Sequence, residues 1–216
     1  GGKSTHVNRM VYHWIYNSPV VPTIVSLEAT AGQYLLEMLG VHLEKNLRWS
    51  MDDASLVEWL KSEHGQTVKQ ELCFKEDGTP RFYLIDNRDK TIKELEKQME
   101  KLNQKHGSKL FVIDVLTDLL RGSKEEHAED HMDWQRNMNK NGVTICNVLH
   151  TRKPGQTADG KMRKVTEFEA LGTGAFVQSA AYNIVINRDK LAEDPIVKNT
   201  TEVDLPKCRG GKTGSA

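Results

Sequence analysis

The chain has 216 residues, of which 38% are hydrophobic, and its 30 basic and 30 acidic residues give no net charge at pH 7. A chain of this length can bury one sizeable core, so we expect a single domain over residues 1–216. The balanced charge excludes a globally basic nucleic-acid-binding chain, and any nucleic-acid surface must come from local clustering. The three cysteines form no C-x-x-C pair, which disfavours a disulfide framework or a zinc ribbon and indicates a reducing, intracellular location. No run approaches the roughly 18 apolar residues of a membrane span, so we expect a soluble protein with no membrane partner.

Short β-branched, apolar runs alternate with helical stretches, which is the pattern of βαβ units and predicts an α/β fold with a mainly parallel sheet. The predicted helices are Lys3–Tyr16, Ala31–Leu39, Asp53–Leu72, Thr91–His106, Glu125–Asn139 and Phe176–Ala180. The predicted strands are Thr23–Glu28, Phe82–Asp86, Leu110–Val115, Val143–Leu149, Asn183–Asn187 and Glu202–Leu205. Leu116–Lys124 and Thr151–Gly174 fit neither pattern, and the second is long enough to indicate a functional or disordered loop.

The first predicted helix opens with Gly2-Lys3-Ser4-Thr5, which matches the end of the phosphate-loop pattern G-x-x-x-x-G-K-[ST]. In that pattern backbone N–H groups and the helix N-terminus cradle phosphate oxygens, Lys3 neutralises phosphate charge, and Ser4 can bind Mg²⁺. Four residues match by chance in many proteins, so an ordinary helix start is the alternative. Because the pattern is incomplete and the chain closes on Gly-Ser-Ala, we expect a fragment of a longer polypeptide, cut within the phosphate loop and after the last basic strand.

Glu28 and Asp114 lie at the carboxyl ends of two apolar predicted strands. A carboxylate at the carboxyl end of a parallel strand faces the crevice where ligands bind in open α/β sheets. Asp114 is placed as a Walker B carboxylate, which orders Mg²⁺ beside the phosphate loop. Glu28 could polarise an attacking water as a general base. The alternatives are a turn aspartate for Asp114 and, for Glu28, an acid that complements the dipole of the next helix.

Three histidines need separate interpretations. His150 follows a predicted strand, where it could hydrogen-bond the outermost phosphate and report its loss to the following loop, although a solvated histidine is the alternative. His127 and His131 have the spacing of a metal-binding pair, but Ala128 stands where a zincin has its glutamate. We therefore favour a solvated helix face over a metal site for that pair.

A basic segment follows His150. Residues 151–164 carry five cations against a single acid, Asp159. Such a segment suits contact with a phosphate backbone without base readout, and a solvated surface loop is the alternative. The predicted DNA-binding residues are Arg152, Lys153, Lys161, Arg163 and Lys164.

Lys207-Cys208-Arg209 ends the last predicted strand, with glycines just beyond it. An arginine that projects from a strand end into a neighbouring subunit's nucleotide site is the geometry of an arginine finger. A lone K-x-R triplet is otherwise too short to carry information.

Taken in order, these motifs resemble the DnaB-like replicative helicases, with the helicase halves of phage primase-helicases and of mitochondrial Twinkle as the nearest forms. The resemblance covers nearly the whole chain, and the order and spacing of its motifs make it specific. The matching motifs are Gly2-Lys3-Ser4, Ser26-Leu27-Glu28, Val112-Ile113-Asp114, Leu149-His150, Leu171-Gly172-Thr173-Gly174 and Lys207-Cys208-Arg209.

The resemblance implies a RecA-like P-loop NTPase core, a homo-hexameric ring with nucleotide sites between subunits, and single-stranded DNA in the central channel. It implies ATP or another NTP or dNTP with Mg²⁺ as cofactors, and a primase domain or partner. A histidine at the sensor position, where bacterial DnaB proteins have glutamine, indicates the phage branch and the cytoplasm of an infected bacterium. The hydrolytic set that it implies is Lys3, Ser4, Glu28, Asp114, His150, Lys207 and Arg209.

The sequence departs from the family pattern at Glu169-Ala170-Leu171, where the family often has an acidic-Leu-Arg triplet.

Two other functions also fit parts of the pattern. A RecA- or RadA-like recombination ATPase shares the fold, the phosphate loop and a glutamate after the second strand. A module that binds nucleotide only to assemble rings would not need Glu28.

Overall fold

The computed structural model describes residues 2–86, 91–120, 125–152, 155–158, 162–171 and 174–216. Its internal contacts divide the chain into two compact units. Residues 4–119 and 133–148 form the first, which we call the parallel-sheet unit. Residues 1–3, 120–132 and 149–216 form the second, the antiparallel-sheet unit. Within the described ranges, no helix is long and apolar enough to cross a membrane.

Four parallel strands in the order β2-β1-β3-β4 form the sheet of the parallel-sheet unit. Every residue of β1 is buried, and so are four of the five residues of β3, as expected for a sheet covered by helices on both faces. The predicted α/β fold with a parallel sheet is therefore confirmed. The strands are β1 (Pro22–Ser26), β2 (Tyr83–Asp86), β3 (Leu110–Asp114) and β4 (Thr144–Asn147).

The helices of this region follow the predicted order, with two short additions. Both α3 and α7 are shorter than two turns, too short to show a helical period in the sequence. The boundary between the two units falls within α8 and after the first residue of α1. The helices are α1 (Lys3–Asn17), α2 (Ala31–His42), α3 (Leu47–Ser50), α4 (Asp53–Lys61), α5 (Glu63–Cys73), α6 (Ile92–His106), α7 (Leu116–Leu120) and α8 (Glu125–Lys140).

The single helix predicted over Asp53–Leu72 is wrong, because the chain breaks at Ser62. Ser62 ends α4 and caps α5, and its Oγ accepts a hydrogen bond from the Gly65 N–H at 3.1 Å. Gly65 lies against the backbone of Trp59, where a Cβ would overlap the carbonyl oxygen. Residues 61–67 carry no hydrophobic side chain, so the apolar pattern of α4 and α5 is interrupted at the break.

The hydrophobic core of the parallel-sheet unit joins α1 and α2 to the sheet. Its fully buried side chains include Val11 of α1, Met38 and Leu39 of α2, and Ile24 and Val112 of the central strands. This packing fixes α1 and α2, the two helices that begin near the candidate site. Burial of apolar side chains in such a core contributes most of the favourable free energy of folding.

The antiparallel-sheet unit contains β5, β6 and β7, paired antiparallel in that order. The two strands predicted after residue 180 therefore exist, but they pair antiparallel, and β6 extends to Cys208 rather than ending at Leu205. A turn of 3-10 helix lies at Glu167–Glu169. The remaining elements are α9 (Gly174–Ser179), β5 (Tyr182–Asn187), α10 (Pro195–Asn199), β6 (Glu202–Cys208) and β7 (Gly214–Ser215).

Candidate functional site

Three neighbouring strands of the parallel-sheet unit end level with one another. Ser26 at the end of β1 is in register with Asp86 of β2 and with Asp114 of β3. The Leu27 N–H donates to the Asp114 carbonyl at 2.7 Å, which carries the ladder one residue past β1. The strand ends therefore bring the segment after β1 against the aspartate of β3, at the edge where parallel α/β sheets bind ligands.

Glu28 lies in the turn between β1 and α2, two residues beyond the strand end, and is exposed. Two side-chain hydrogen bonds shape this turn. The Ser26 hydroxyl donates to the Ala29 carbonyl at 2.7 Å, and the Ala31 N–H donates to Asp86 Oδ2 at 2.7 Å. Thr30 and Gln33 form a capping box that starts α2 directly after the turn. Glu28 is thus presented from a turn fixed at both ends.

Asp114 is almost enclosed, with 9% of its surface exposed. Its charge acts on two neighbours, the buried Tyr34 and the half-buried Cys146. Burial, followed by the Asp114 and Glu37 carboxylates, raises the pKa of Tyr34 above its ordinary value. Burial, followed by Asp114, raises the pKa of Cys146 to about 11. Asp114 is therefore a carboxylate in a largely dry environment, where its charge acts strongly on nearby groups.

The residues predicted to form a phosphate loop lie at the start of α1. Gly2 has φ of 107°, a conformation that glycine adopts freely, and the helix begins at Lys3. One turn after Ser4, on the same helix face, the buried Asn8 donates through Nδ2 to Glu37 Oε2 at 2.9 Å. Glu37 and Asp114 both act on Tyr34, so this face of α1 is turned towards the group around Asp114. Thr5, the next residue, is exposed.

Gly2 and Lys3 have their contacts in the antiparallel-sheet unit. The convergence of Lys3 with Glu28 and Asp114 therefore remains a prediction. Ser4 and Asp114 both offer oxygen ligands, the type that Mg²⁺ prefers, so this donor set is chemically suited to the ion.

Asp118 was missed by the sequence analysis. It lies on α7, just after β3, and one of its carboxylate oxygens is within 4.8 Å of one from Glu28. The only signal in the sequence was an acid four residues after Asp114, within a stretch to which neither helix nor strand could be assigned. Glu28 thus has a second carboxylate beside it, which was not predicted.

The basic segment is an irregular antiparallel hairpin in its described part. The Leu171 N–H donates to the His150 carbonyl at 2.6 Å and the Arg152 N–H donates to the Glu169 carbonyl at 2.9 Å. Closer to the tip, the Arg163 N–H donates to the Gly155 carbonyl at 2.9 Å. His150, half-buried, therefore stands at the neck of the hairpin.

Two predicted DNA-binding cations of this hairpin are held by carboxylates. Arg163 forms an ion pair with Glu169, and Lys164 Nζ lies 2.5 Å from Glu202 Oε1. The hydrogen bond to Glu202 is the largest cause that raises the pKa of Lys164. Both cations are more than half exposed, so these pairs are weak and exchangeable. Arg152 is exposed, whereas Lys153 and Lys161 lie outside the described residues.

At the end of β6, Lys207 and Arg209 lie near the C-terminal carbonyls of α9. Lys207 Nζ donates to the Val177 carbonyl at 3.2 Å and to the Gln178 carbonyl at 2.6 Å. Arg209 Nη2 reaches the Gln178 carbonyl at 3.5 Å, and its side chain is exposed. Within this chain Lys207 therefore caps a helix C-terminus, where a positive charge is favourable. In the predicted Leu171-Gly172-Thr173-Gly174 motif, Gly172 and Thr173 lie outside the described residues.

The histidine pair of α8 does not form a shared solvent-facing site. His131 is 1% exposed and its ring lies 6.3 Å from that of Phe176, whereas His127 is exposed. The position of His131 is that of a core residue. The expected solvated face is found at His127, Glu129 and Asp130, which are exposed.

The chain was compared with protein families, curated proteins and solved structures. No family model matches the sequence, and no curated protein matches it. Two solved structures superpose with TM-scores of 0.73 at 17% identity, and each covers 100% of this chain. One is the ATPase domain of G40P, of which this chain spans 76%. The other is a DnaB-like replicative helicase described with its interactions with primase, of which this chain spans 51%.

At 17% identity the likeness shows the fold. The resemblance predicted from the motifs is confirmed at that level, since this chain has the α/β, RecA-like fold of a DnaB-like helicase ATPase domain. The sequences have diverged too far for any residue role to be carried over from these structures.

Proposed function

We propose that this chain is the motor core of a ring-forming replicative DNA helicase that hydrolyses a nucleoside triphosphate as it moves along single-stranded DNA. One observation carries the proposal. On a fold shared with helicase ATPase domains, the Leu27–Asp114 hydrogen bond joins the turn that bears Glu28 to the end of β3. This is the arrangement that a general base and a metal-binding aspartate require.

In the proposed reaction, Glu28 accepts a proton from a water as that water attacks the γ-phosphorus, and the bond to the β-phosphate oxygen breaks. Lys3 neutralises charge on the outer phosphates, and Gly2 and Thr5 border them at the helix N-terminus. Ser4 and Asp114 would hold Mg²⁺, which offsets negative charge on the phosphates when bound. These roles follow from residue chemistry together with the placement of Ser4, Glu28 and Asp114 on the parallel-sheet unit.

Three residues of the antiparallel-sheet unit complete the proposed machinery. His150 senses the outermost phosphate. It directly precedes the basic segment in the chain, and its carbonyl accepts the hydrogen bond from Leu171, so a change at His150 can reach that segment. Arg209, with Lys207, acts on the nucleotide of a neighbouring copy in a homo-hexamer. The exposure of Arg209 at a strand end supports that role, because a residue that acts on another subunit must be accessible.

The basic hairpin is the proposed DNA contact. Arg163 and Lys164 are partly exposed cations whose carboxylate partners a phosphate can replace. Arg152, Lys153 and Lys161 add charge to the same segment. Contact with phosphates alone suits a motor that moves on any DNA sequence.

We also expect a primase as the partner of this helicase, and the cytoplasm of a phage-infected bacterium as its location.

The test is NTP hydrolysis with and without single-stranded DNA, followed by unwinding of a forked duplex, on the full-length protein that contains this chain. We expect DNA-stimulated hydrolysis and strand separation, both lost in the Glu28→Gln variant. Strand pairing without unwinding would indicate a recombination ATPase instead. Ring assembly with no turnover would indicate a module that uses nucleotide only for assembly.

A further inference from the structure

Asn187, the last residue of β5, holds the basic hairpin by its backbone. Its Oδ1 accepts a hydrogen bond from the Val165 N–H at 2.9 Å, and its Nδ2 donates to the Val165 carbonyl at 3.1 Å. Asn187 is 9% exposed and Val165 is 8% exposed. One buried amide therefore satisfies both backbone groups of one residue, as a neighbouring strand would.

The neighbouring strand, β6, makes a second contact with the hairpin. Glu202 of β6 is the cross-strand partner of Asn187, and it forms the ion pair with Lys164. Two residues that face each other on the sheet thus hold two consecutive residues of the hairpin. Asn187 Nδ2 also reaches Asp204 Oδ2 at 3.3 Å, and Ser215 Oγ of β7 donates to Asp204 Oδ1 at 2.5 Å. The contact is therefore supported by all three strands of the sheet.

Strand β6 connects this contact to the proposed arginine finger. It runs from Glu202 to Cys208, and Arg209 follows it directly, with its N–H donating to the Ala181 carbonyl at 2.9 Å. A paired strand is stiff and advances about 3.3 Å per residue, so the two ends are separated by a fixed length of sheet. The base of the hairpin and Arg209 are thus attached to one rigid element.

We propose that Asn187 is a positioning residue, which holds the cations Arg163 and Lys164 in a fixed place on β5 and β6 for contact with the phosphates of single-stranded DNA. The inference rests on the proposed function. Asn187 itself touches no nucleic acid and no nucleotide in this role. Its effect is to order the segment before DNA arrives, so that binding does not have to fix a loose chain.

The first experiment measures hydrolysis by the full-length protein against the concentration of an oligothymidylate. In the Asn187→Asp variant, which loses the donor to the Val165 carbonyl and sets a second carboxylate against Asp204, we expect the half-stimulating DNA concentration to rise about tenfold. Turnover without DNA should stay within about twofold of wild type, because the parallel-sheet edge is unchanged. The matched control is Asn199→Ala, an exposed asparagine of the same unit, which should behave as wild type.

The second experiment needs no activity and tests the contact itself. Trypsin cleaves after lysine, and the Lys164–Val165 peptide contains the N–H that Asn187 holds. Cleavage there should accelerate about tenfold in Asn187→Asp, relative to cleavage after the exposed Lys190 in the same sample. Equal acceleration at both sites would mean general unfolding and would overturn the positioning role.

The outcomes separate the two proposals. If DNA stimulates wild type and Asn187→Asp equally, with the same half-stimulating concentration, the positioning role is rejected and the helicase proposal stands. If DNA neither binds to nor stimulates wild type, the DNA motor is rejected, and the role of Asn187 in DNA contact falls with it. If the aspartate variant does not fold, Asn187→Ser is measured in its place, with the same expectations and the same grounds for rejection.

Discussion

In the parallel-sheet unit, Ser26 and Asp114 lie level because β1 and β3 share a hydrogen-bonded register, whereas in the antiparallel-sheet unit Val165 is placed by the side chain of Asn187, which bonds its backbone groups. The first kind of placement follows from the pairing of whole strands. The second depends on one amide group. A single substitution can therefore displace the hairpin, while the edge of the parallel sheet should withstand most changes outside the side chains that react.

The largest expected effect tests the exposed end of β6. We expect Arg209→Ala to reduce hydrolysis by about 10³-fold or more while nucleotide binding changes little, because the arginine acts on charge that develops during phosphoryl transfer. Turnover and nucleotide affinity of the full-length protein are the measurements. Equal hydrolysis by variant and wild type would rule out the finger assignment and leave Arg209 as a surface residue beside α9.

Asp118 tests the edge of the parallel sheet. A second carboxylate within 4.8 Å of Glu28 offers another acceptor that can orient the attacking water beside Glu28. We expect Asp118→Asn to lower kcat about tenfold, against about a thousandfold for Glu28→Gln. Asp133→Asn, an exposed acid of the same unit paired with Arg136, is the control and should leave kcat unchanged. An unchanged kcat in Asp118→Asn would make this acid a bystander.

A side-chain contact also exists in the parallel-sheet unit, and its removal sharpens the comparison. Gln135 of α8 and Asn147 of β4 exchange two amide hydrogen bonds, at 3.1 and 2.8 Å. Gln135→Ala removes both partners of the half-buried Asn147 amide. We therefore expect this variant to lower the free energy of unfolding by about 2 kcal/mol. Denaturant unfolding measures it, with the exposed Gln70→Ala as control. Because strand register, and not this side-chain contact, places the reacting groups, kcat should not change. A fall in kcat together with the loss of stability would contradict this explanation.

The smallest effect concerns Cys146, which is level with Val112 on the neighbouring strand. Its pKa of about 11 means that only about one thiol in a thousand is ionised at pH 8, and the ionised fraction rises about tenfold for each unit of pH below that value. We expect iodoacetamide to spare Cys146 in the folded protein at pH 8 and to label it in urea. Mass spectrometry of the peptide that contains Cys146 measures the labelling. Equal labelling in the folded and unfolded states would contradict the burial of the Cys146 thiol.

The sequence predicted what depends on repeating patterns. Apolar, β-branched runs gave the four parallel strands, and acids at their carboxyl ends gave Glu28 and Asp114. The break at Ser62 could not be predicted, because it depends on contact between Gly65 and the Trp59 backbone. The hairpin contact could not be predicted either, since Asn187 and Val165 are 22 residues apart and no pattern links an amide to a distant peptide group.

Asp118 shows a third kind of limit. Its relevance comes from proximity to Glu28, which is 90 residues earlier and is presented by a turn after another strand. A lone acid in a short helix carries no signal until the strand order is known. Its detection therefore needed the pairing of β1 with β3, which a single sequence does not state.

The hydrogen bond from the Leu27 N–H to the Asp114 carbonyl also limits how the chain can change in length. Because the backbone is tied there, one residue inserted between Ser26 and Glu28 would rotate the glutamate away from its neighbours, even if every original side chain were kept. Deletion and insertion scanning should therefore find this three-residue stretch intolerant of any change in spacing, although Leu27 itself could be exchanged for another apolar residue.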